Sequence, residues 1–124
     1  MKIYLAGRYG RKNEMVDYAK NLKAAGHHVT SRWIYGEHDG VSEAVCASHD
    51  LEDIDAAEVL ISFGEKPREM NNSRGGRHVE FGYALAKEMR IILVGYREGV
   101  FTFLPQVEFC GTFENAMEVL GAGK

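Results

Sequence analysis

Three short, almost entirely apolar runs are the feature of this sequence that most restricts its fold. The clearest is Arg90–Gly95, and Lys2–Ala6 and Glu58–Phe63 have the same character. Such runs are typical of parallel strands buried on both faces of a sheet. Two weaker strands are predicted at His28–Ser31 and Val107–Phe109, so the chain carries five predicted strands.

Amphipathic segments separate these strands and predict helices. They run from about Asn13 to Ala25, from about Val41 to Ala56, onward from Gly75-Gly76, and from an N-cap at Thr112 to about Leu120. In the second helix a single stripe is expected to face the core, formed by Val41, Ala44, Ser48, Leu51 and Ile54. Strands that alternate with helices predict an α/β fold, here a flavodoxin-like doubly wound sheet of five parallel strands in the order 2-1-3-4-5, with helices on both faces.

Length, charge and cysteine content exclude several classes of protein. At 124 residues the sequence (1–124) predicts one domain, and a net charge of −3 indicates neither a nucleic-acid polymer nor a membrane surface as partner. The first apolar run is too short for a signal peptide or a membrane span. Cys46 and Cys110 form neither a disulfide framework nor a metal spacing, and the five histidines are scattered, so no metal is expected and the cytoplasm is favoured.

In doubly wound sheets, ligands bind beyond the carboxyl ends of the strands, where the strand order reverses beside strand 1. The loop after the first strand lies there and combines glycines with cations, in Gly7, Arg8, Tyr9, Gly10, Arg11 and Lys12. Backbone N–H groups and arginine side chains in such a loop can hold a phosphate. A glycine turn with solvated basic residues explains the same pattern equally well.

The segment after the third strand reaches the same edge and leads into the helix at Gly75-Gly76, with Arg74 and Arg77 beside the turn. A glycine such as Gly76 lets the backbone approach a ligand closely. Helical spacing predicts Glu80 in the first turn, where the helix N-terminus favours an ionised carboxylate, as a glycosidic nucleophile requires. The alternative is that Glu80 only caps its own helix.

Other polar and aromatic residues near the strand ends allow two interpretations each. Asp50 is of interest if it faces the strand ends, where it can move a proton for a leaving base, whereas Glu52 and Asp55 are assigned to a solvated face. Three aromatic residues after strand ends can stack on a base or pack against the protein: Tyr9, Trp33 and Tyr35. His78 is expected to be exposed or to touch a ligand, and Phe101, Phe103 and Leu104 to form a subunit contact or to pack on their own core.

Four segments in this order resemble the nucleoside 2-deoxyribosyltransferase family and its relatives, the 2-deoxynucleoside 5-phosphate N-hydrolases. They are Ile3–Gly7, Asp50 with Ala57–Ile61, Val79–Ala84 and Ile91–Val94. The resemblance implies a flavodoxin-like fold, a homodimer or higher homo-oligomer, and no cofactor. It also implies cleavage of the N-glycosidic bond of a nucleoside or nucleotide through a covalent sugar–glutamate intermediate.

The resemblance also implies roles for single residues. Glu80 corresponds to the nucleophile, Asp50 to the aspartate that handles the base, and Tyr4 to a tyrosine that holds the nucleophile by a hydrogen bond. Arg74 departs from the pattern, because deoxyribosyltransferases carry an acid six positions before the nucleophile. Together with Arg8 and Arg11 this departure favours a substrate with a 5-phosphate and puts transfer to a second base in doubt.

Two other functions remain open from the sequence. A binding module of the same fold would hold a nucleotide without turning it over, and the loss of one family acid at Arg74 motivates this alternative. A flavin-binding domain is the other, but the loop after the first strand lacks a phosphate cradle rich in serine and threonine. The leading hypothesis is N-glycosidic cleavage with Glu80 as nucleophile and Asp50 assisting the base.

Overall fold

The fold was examined in a computed structural model, which describes residues 1–36, 40–66 and 75–122. Arg74, predicted to bind substrate, lies outside the described residues. Five parallel strands form one sheet in the order β2-β1-β3-β4-β5. The strands are β1 (Lys2–Ala6), β2 (His28–Val29), β3 (Val59–Phe63), β4 (Arg90–Val94) and β5 (Val107–Cys110). The predicted fold and strand order are confirmed.

Among the described residues, four α-helices cover the two faces of this sheet. They are α1 (Lys12–Ala24), α2 (Glu43–Asp55), α3 (Gly76–Ala86) and α4 (Phe113–Ala122). Side chains alternate along a strand, so Phe63 and Leu60 of β3 point to opposite faces. The Phe63 ring stacks with Tyr18 of α1 and lies near Phe113 of α4, whereas Tyr4, the register partner of Leu60, bonds to α3. One face therefore carries α1 and α4, and the other carries α3 with α2 beside it.

The second strand is shorter than predicted. It ends at Val29 rather than at Ser31, and a 3-10 helix (Arg32–Tyr35) follows. Trp33 in this helix is buried and donates from Nε1 to the Leu5 carbonyl oxygen at 2.7 Å. A buried indole N–H needs such an acceptor, so Trp33 serves the core, while Tyr9 and Tyr35 stay exposed.

The stripe predicted for the core face of α2 is wrong except at one position. Ile54 is fully buried, but the other four members, Val41, Ala44, Ser48 and Leu51, are exposed. The helix meets the rest of the chain mainly through its last turns, where Ile54 packs and Asp53 accepts from the Arg32 backbone N–H. The amino-terminal part of α2 therefore presents apolar side chains to the outside.

Candidate active site

Tyr4 and Glu80 form a buried hydrogen-bonded pair between the sheet and α3. The Tyr4 hydroxyl donates to Glu80 Oε2, and both residues are buried. Tyr4 lies in β1, the strand beside which the strand order reverses, and its side chain points to the face of the sheet that carries α3. Burial, followed by the nearby Glu80 and Asp50 carboxyls, raises the pKa of the Tyr4 phenol well above its usual range. Tyr4 therefore acts here as a hydrogen-bond donor.

The prediction that Glu80 lies in the first helical turn and is held ionised there is wrong. Helix α3 begins at Gly76, so Glu80 is its fifth residue and lies beyond the terminal N–H groups. Burial raises the pKa of Glu80 to about 8, the Tyr4 hydrogen bond lowers it, and the Asp50 charge raises it. Glu80 is therefore largely protonated at neutral pH, and it does not cap its helix.

Asp50 approaches the same pair from α2. It is partly buried, and its charge raises the pKa of both Tyr4 and Glu80. Three residues from β1, α2 and α3 thus meet on one face of the sheet. A carboxyl whose pKa is raised by burial and by a nearby acidic group is an arrangement found at catalytic sites. The members of the predicted catalytic set, Tyr4, Asp50 and Glu80, lie together.

The arginines of the first loop lie in a separate cluster with two glutamates. Arg8 Nε contacts Glu65 Oε1 at 3.3 Å, and Arg11 Nη1 contacts Glu65 Oε2 at 2.7 Å. Arg11 also binds Glu14 through both carboxylate oxygens, at 3.0 and 2.7 Å. The Arg11 guanidinium lies over the Phe63 ring, on the face that carries α1 and α4. Arg11 and Glu80 are therefore directed to opposite faces of the sheet.

The remaining predicted binding residues are distributed around the same edge. Arg77 is buried in α3 and donates from Nη2 to Glu98 Oε2 at 2.6 Å. Gly76 starts α3 and is exposed. Tyr9 lies with its ring centroid 6.2 Å from that of Trp33. A side chain at Gly7 would press against Met15, so this glycine allows α1 to pack closely after β1.

An apolar cavity of about 600 Å³ lies along the other side of α3. Its walls include Phe81, Leu93, Phe101 and Leu104, with the Arg77–Glu98 pair at its edge. Within the part of the chain that the structure describes, the residues lining this cavity do not include Tyr4, Asp50 or Glu80. The cavity and the titratable cluster are thus separate features. The cluster is the candidate site for chemistry, because the buried Glu80 carboxyl has its pKa raised there by burial and by Asp50.

Comparisons with known proteins support the fold. No protein-family model matches the sequence, and no curated protein matches it. Among solved structures, the chain is similar to a CMP N-glycosidase, BcmB, of Clostridium botulinum, with a TM-score of 0.69 and 20% sequence identity. The match covers 98% of this chain and 99% of the other. The two proteins share one fold.

The described residues contain neither a candidate membrane-spanning helix nor a candidate metal-binding cluster. No helix in residues 1–36, 40–66 and 75–122 is long and apolar enough to cross a bilayer. Within the same ranges, no three side chains of His, Cys, Asp or Glu are grouped so that they could hold a metal ion.

Sequence reasoning missed the acids that pair with the predicted arginines. Glu65 and Glu98 follow the ends of β3 and β4, and Glu14 lies in the first turn of α1. The position of Glu65 and Glu98 after strand ends, at the edge where the arginines lie, is a sequence signal that could have identified these two acids. Whether a glutamate there faces an arginine or the solvent depends on side-chain direction, which spacing alone does not give.

Proposed function

We propose that this protein cleaves the N-glycosidic bond of a nucleoside or nucleoside 5-monophosphate, with Glu80 as the nucleophile. The observation that carries the proposal is the buried Glu80 carboxyl, which accepts a hydrogen bond from Tyr4 and lies beside Asp50. The sequence resemblance to the deoxyribosyltransferases assigns the same three residues. A shared fold with a CMP N-glycosidase adds support for this class of reaction.

In the first step, Glu80 attacks the anomeric carbon and the base leaves with its bonding electron pair. Burial raises the pKa of Glu80 to about 8, and we propose that Glu80 carries a proton at rest. We propose that Asp50 passes this proton to the departing base as Glu80 becomes ionised. The C1′–N bond breaks, the C1′–O bond to Glu80 forms, and the neutral base is released.

In the second step, water or another nucleophile resolves the sugar–Glu80 ester. Asp50 removes a proton from the attacking water, which forms the new bond to C1′ and displaces the Glu80 carboxylate. The proton then returns from Asp50 to Glu80. Two displacements leave the sugar with retained configuration, as in retaining glycosidases. The Tyr4 hydrogen bond stabilises the Glu80 carboxylate when it leaves.

The substrate class is tested by incubating the protein with each ribonucleoside, each deoxyribonucleoside and their 5-monophosphates, and separating the free base by chromatography. Base release from at least one of them is expected. Calorimetric binding of a nucleotide without base release after long incubation would contradict the enzyme and favour the binding module of the same fold.

Two variants are expected to shift the alkaline limb of the pH profile of kcat/KM in opposite directions. Asp50→Asn removes the negative charge that raises the pKa of Glu80, so the alkaline limb of kcat/KM moves to lower pH. Tyr4→Phe removes the hydrogen bond that lowers this pKa, so the limb moves to higher pH. Asp50→Asn should also slow base release by about 10²- to 10⁴-fold, as for loss of a general acid–base. Identical limbs in both variants and wild type would contradict the shared proton.

We also propose that the chain forms a homodimer or higher homo-oligomer in solution. Apolar side chains are exposed on α2 and α3 and in the 3-10 helix after β4 (Val100–Phe103), with Val79 69%, Phe101 67% and Phe103 67% exposed. Exposed apolar surface of this kind marks contact sites. Light scattering coupled to size-exclusion chromatography should give a multiple of 13.9 kDa. The double variant Phe101→Asp/Phe103→Asp should shift the measured mass toward that of the monomer. A wild type that is monomeric at all concentrations would exclude the contact.

A further inference from the structure

Glu65 follows β3 at the carboxyl edge of the sheet and binds both arginines of the loop after β1. We infer that its carboxylate acts as an internal counter-ion for Arg8 and Arg11 and thereby disfavours a 5-phosphate relative to a free 5-hydroxyl. This inference rests on the proposed function, and it requires the 5-position of a substrate held at Glu80 to extend over the strand ends to Arg8.

The first step concerns the charge at the sheet edge. Two arginines follow β1, and within the described residues Glu14 and Glu65 supply carboxylates that bind them. Each of the two guanidinium groups predicted to bind phosphate therefore already has an anionic partner in the protein.

The second step concerns how firmly Glu65 is held. Its side chain is only 12% exposed, and its two oxygens contact two different arginines. Its backbone N–H donates to Glu98 Oε1 at 2.7 Å, and Glu98 in turn binds Arg77. Because both the main chain and the carboxylate of Glu65 are bonded, moving it away from the arginines breaks several charge-assisted hydrogen bonds.

The third step follows from electrostatics. A phosphate that reaches Arg8 either displaces the Glu65 carboxylate or binds beside it. Displacement costs the existing ion pairs, and close approach of two anions is repulsive. A neutral 5-hydroxyl meets neither penalty. Discrimination built on a repulsive group is a common source of specificity.

The test compares kcat/KM for one nucleoside and its 5-monophosphate in wild type and in Glu65→Gln, which keeps the shape and removes the charge. Glu65→Gln should raise the monophosphate-to-nucleoside ratio of kcat/KM at least about tenfold, equivalent to 1.4 kcal/mol. Glu65→Asp keeps the charge and should stay near the wild-type ratio. Glu108→Gln is the matched control, because Glu108 also pairs with an arginine, Arg90, but lies on β5.

An unchanged ratio in Glu65→Gln, with base release intact, would overturn this inference and leave the proposed function standing. A second readout does not depend on catalysis. Inorganic phosphate should raise the melting temperature of Glu65→Gln more than that of wild type, because ligand binding to the folded state stabilises it. Equal phosphate-induced shifts in both proteins would overturn the role of Glu65 even if no substrate is cleaved.

Discussion

Glu80→Gln is expected to reduce the rate of base release at least about a thousandfold, because an amide cannot form the sugar ester. Glutamine has the shape of the protonated carboxyl and can still accept the hydrogen bond from Tyr4. The measurement is single-turnover base release by chromatography. Glu118→Gln makes the same change of charge at an exposed position of α4 and should keep wild-type activity.

The same variant gives an independent check of the site's electrostatics through stability. Glu80 has a pKa near 4.5 when solvated and about 8 in the folded protein, so the unfolded state loses its proton first as the pH rises. The contribution of Glu80 to the free energy of unfolding therefore falls between about pH 4.5 and pH 8. Glu80→Gln has no such proton to lose. Its melting temperature should match wild type near pH 5 and exceed it at pH 8.

Two results would contradict this account of Glu80. Base release from Glu80→Gln at the wild-type rate would show that another group is the nucleophile. A constant difference in melting temperature across the pH range would show that Glu80 is ionised in the folded protein at neutral pH. The rate of base release tests the role of Glu80 as nucleophile, and the melting temperatures test its protonation in the folded protein. The two results can therefore be distinguished.

Gly64→Ala is expected to destabilise the protein by about 3 kcal/mol, because of a collision between backbones at the functional edge. A Cβ at Gly64 would lie 1.9 Å from the Tyr96 carbonyl oxygen. Gly64 also donates its N–H to the Val94 carbonyl oxygen, which holds the ends of β3 and β4 together. Neither segment can move aside without breaking the pairing beside it. Thermal unfolding followed by circular dichroism should show a drop of about 10 °C.

Gly82→Ala is the matched control for this glycine. Gly82 lies within α3, and a Cβ there would meet nothing within 4 Å. Alanine at an open helical position should raise stability by about 0.5–1 kcal/mol, because glycine is a poor helix former. Equal melting temperatures for Gly64→Ala and wild type would mean that the backbone segments at Gly64 and Tyr96 move apart at little cost in free energy, despite their close contact.

The fold was predictable because its main signals are local. Almost entirely apolar runs at Ile3–Ala6, Val59–Phe63 and Ile91–Val94 are buried in the sheet, as a doubly wound fold requires. Errors arose where burial depends on a distant partner. The stripe along α2 had the right spacing, but most of its members are exposed, so periodicity overstated its core face.

By itself, the sequence predicted the strands and their order, since chain order and hydrophobic pattern depend on neighbouring residues. The grouping of Tyr4, Asp50 and Glu80 came from the resemblance to a known family. Only the tertiary structure decided the electrostatic environment of Glu80. Glu80 was expected to be ionised by a helix N-terminus, and burial beside Asp50 raises its pKa instead. Arg8 and Arg11 were expected to await a phosphate, and Glu65 binds both. The reason is physical: desolvation and ion pairing depend on which side chains meet across elements, and residue spacing along the chain carries no such information.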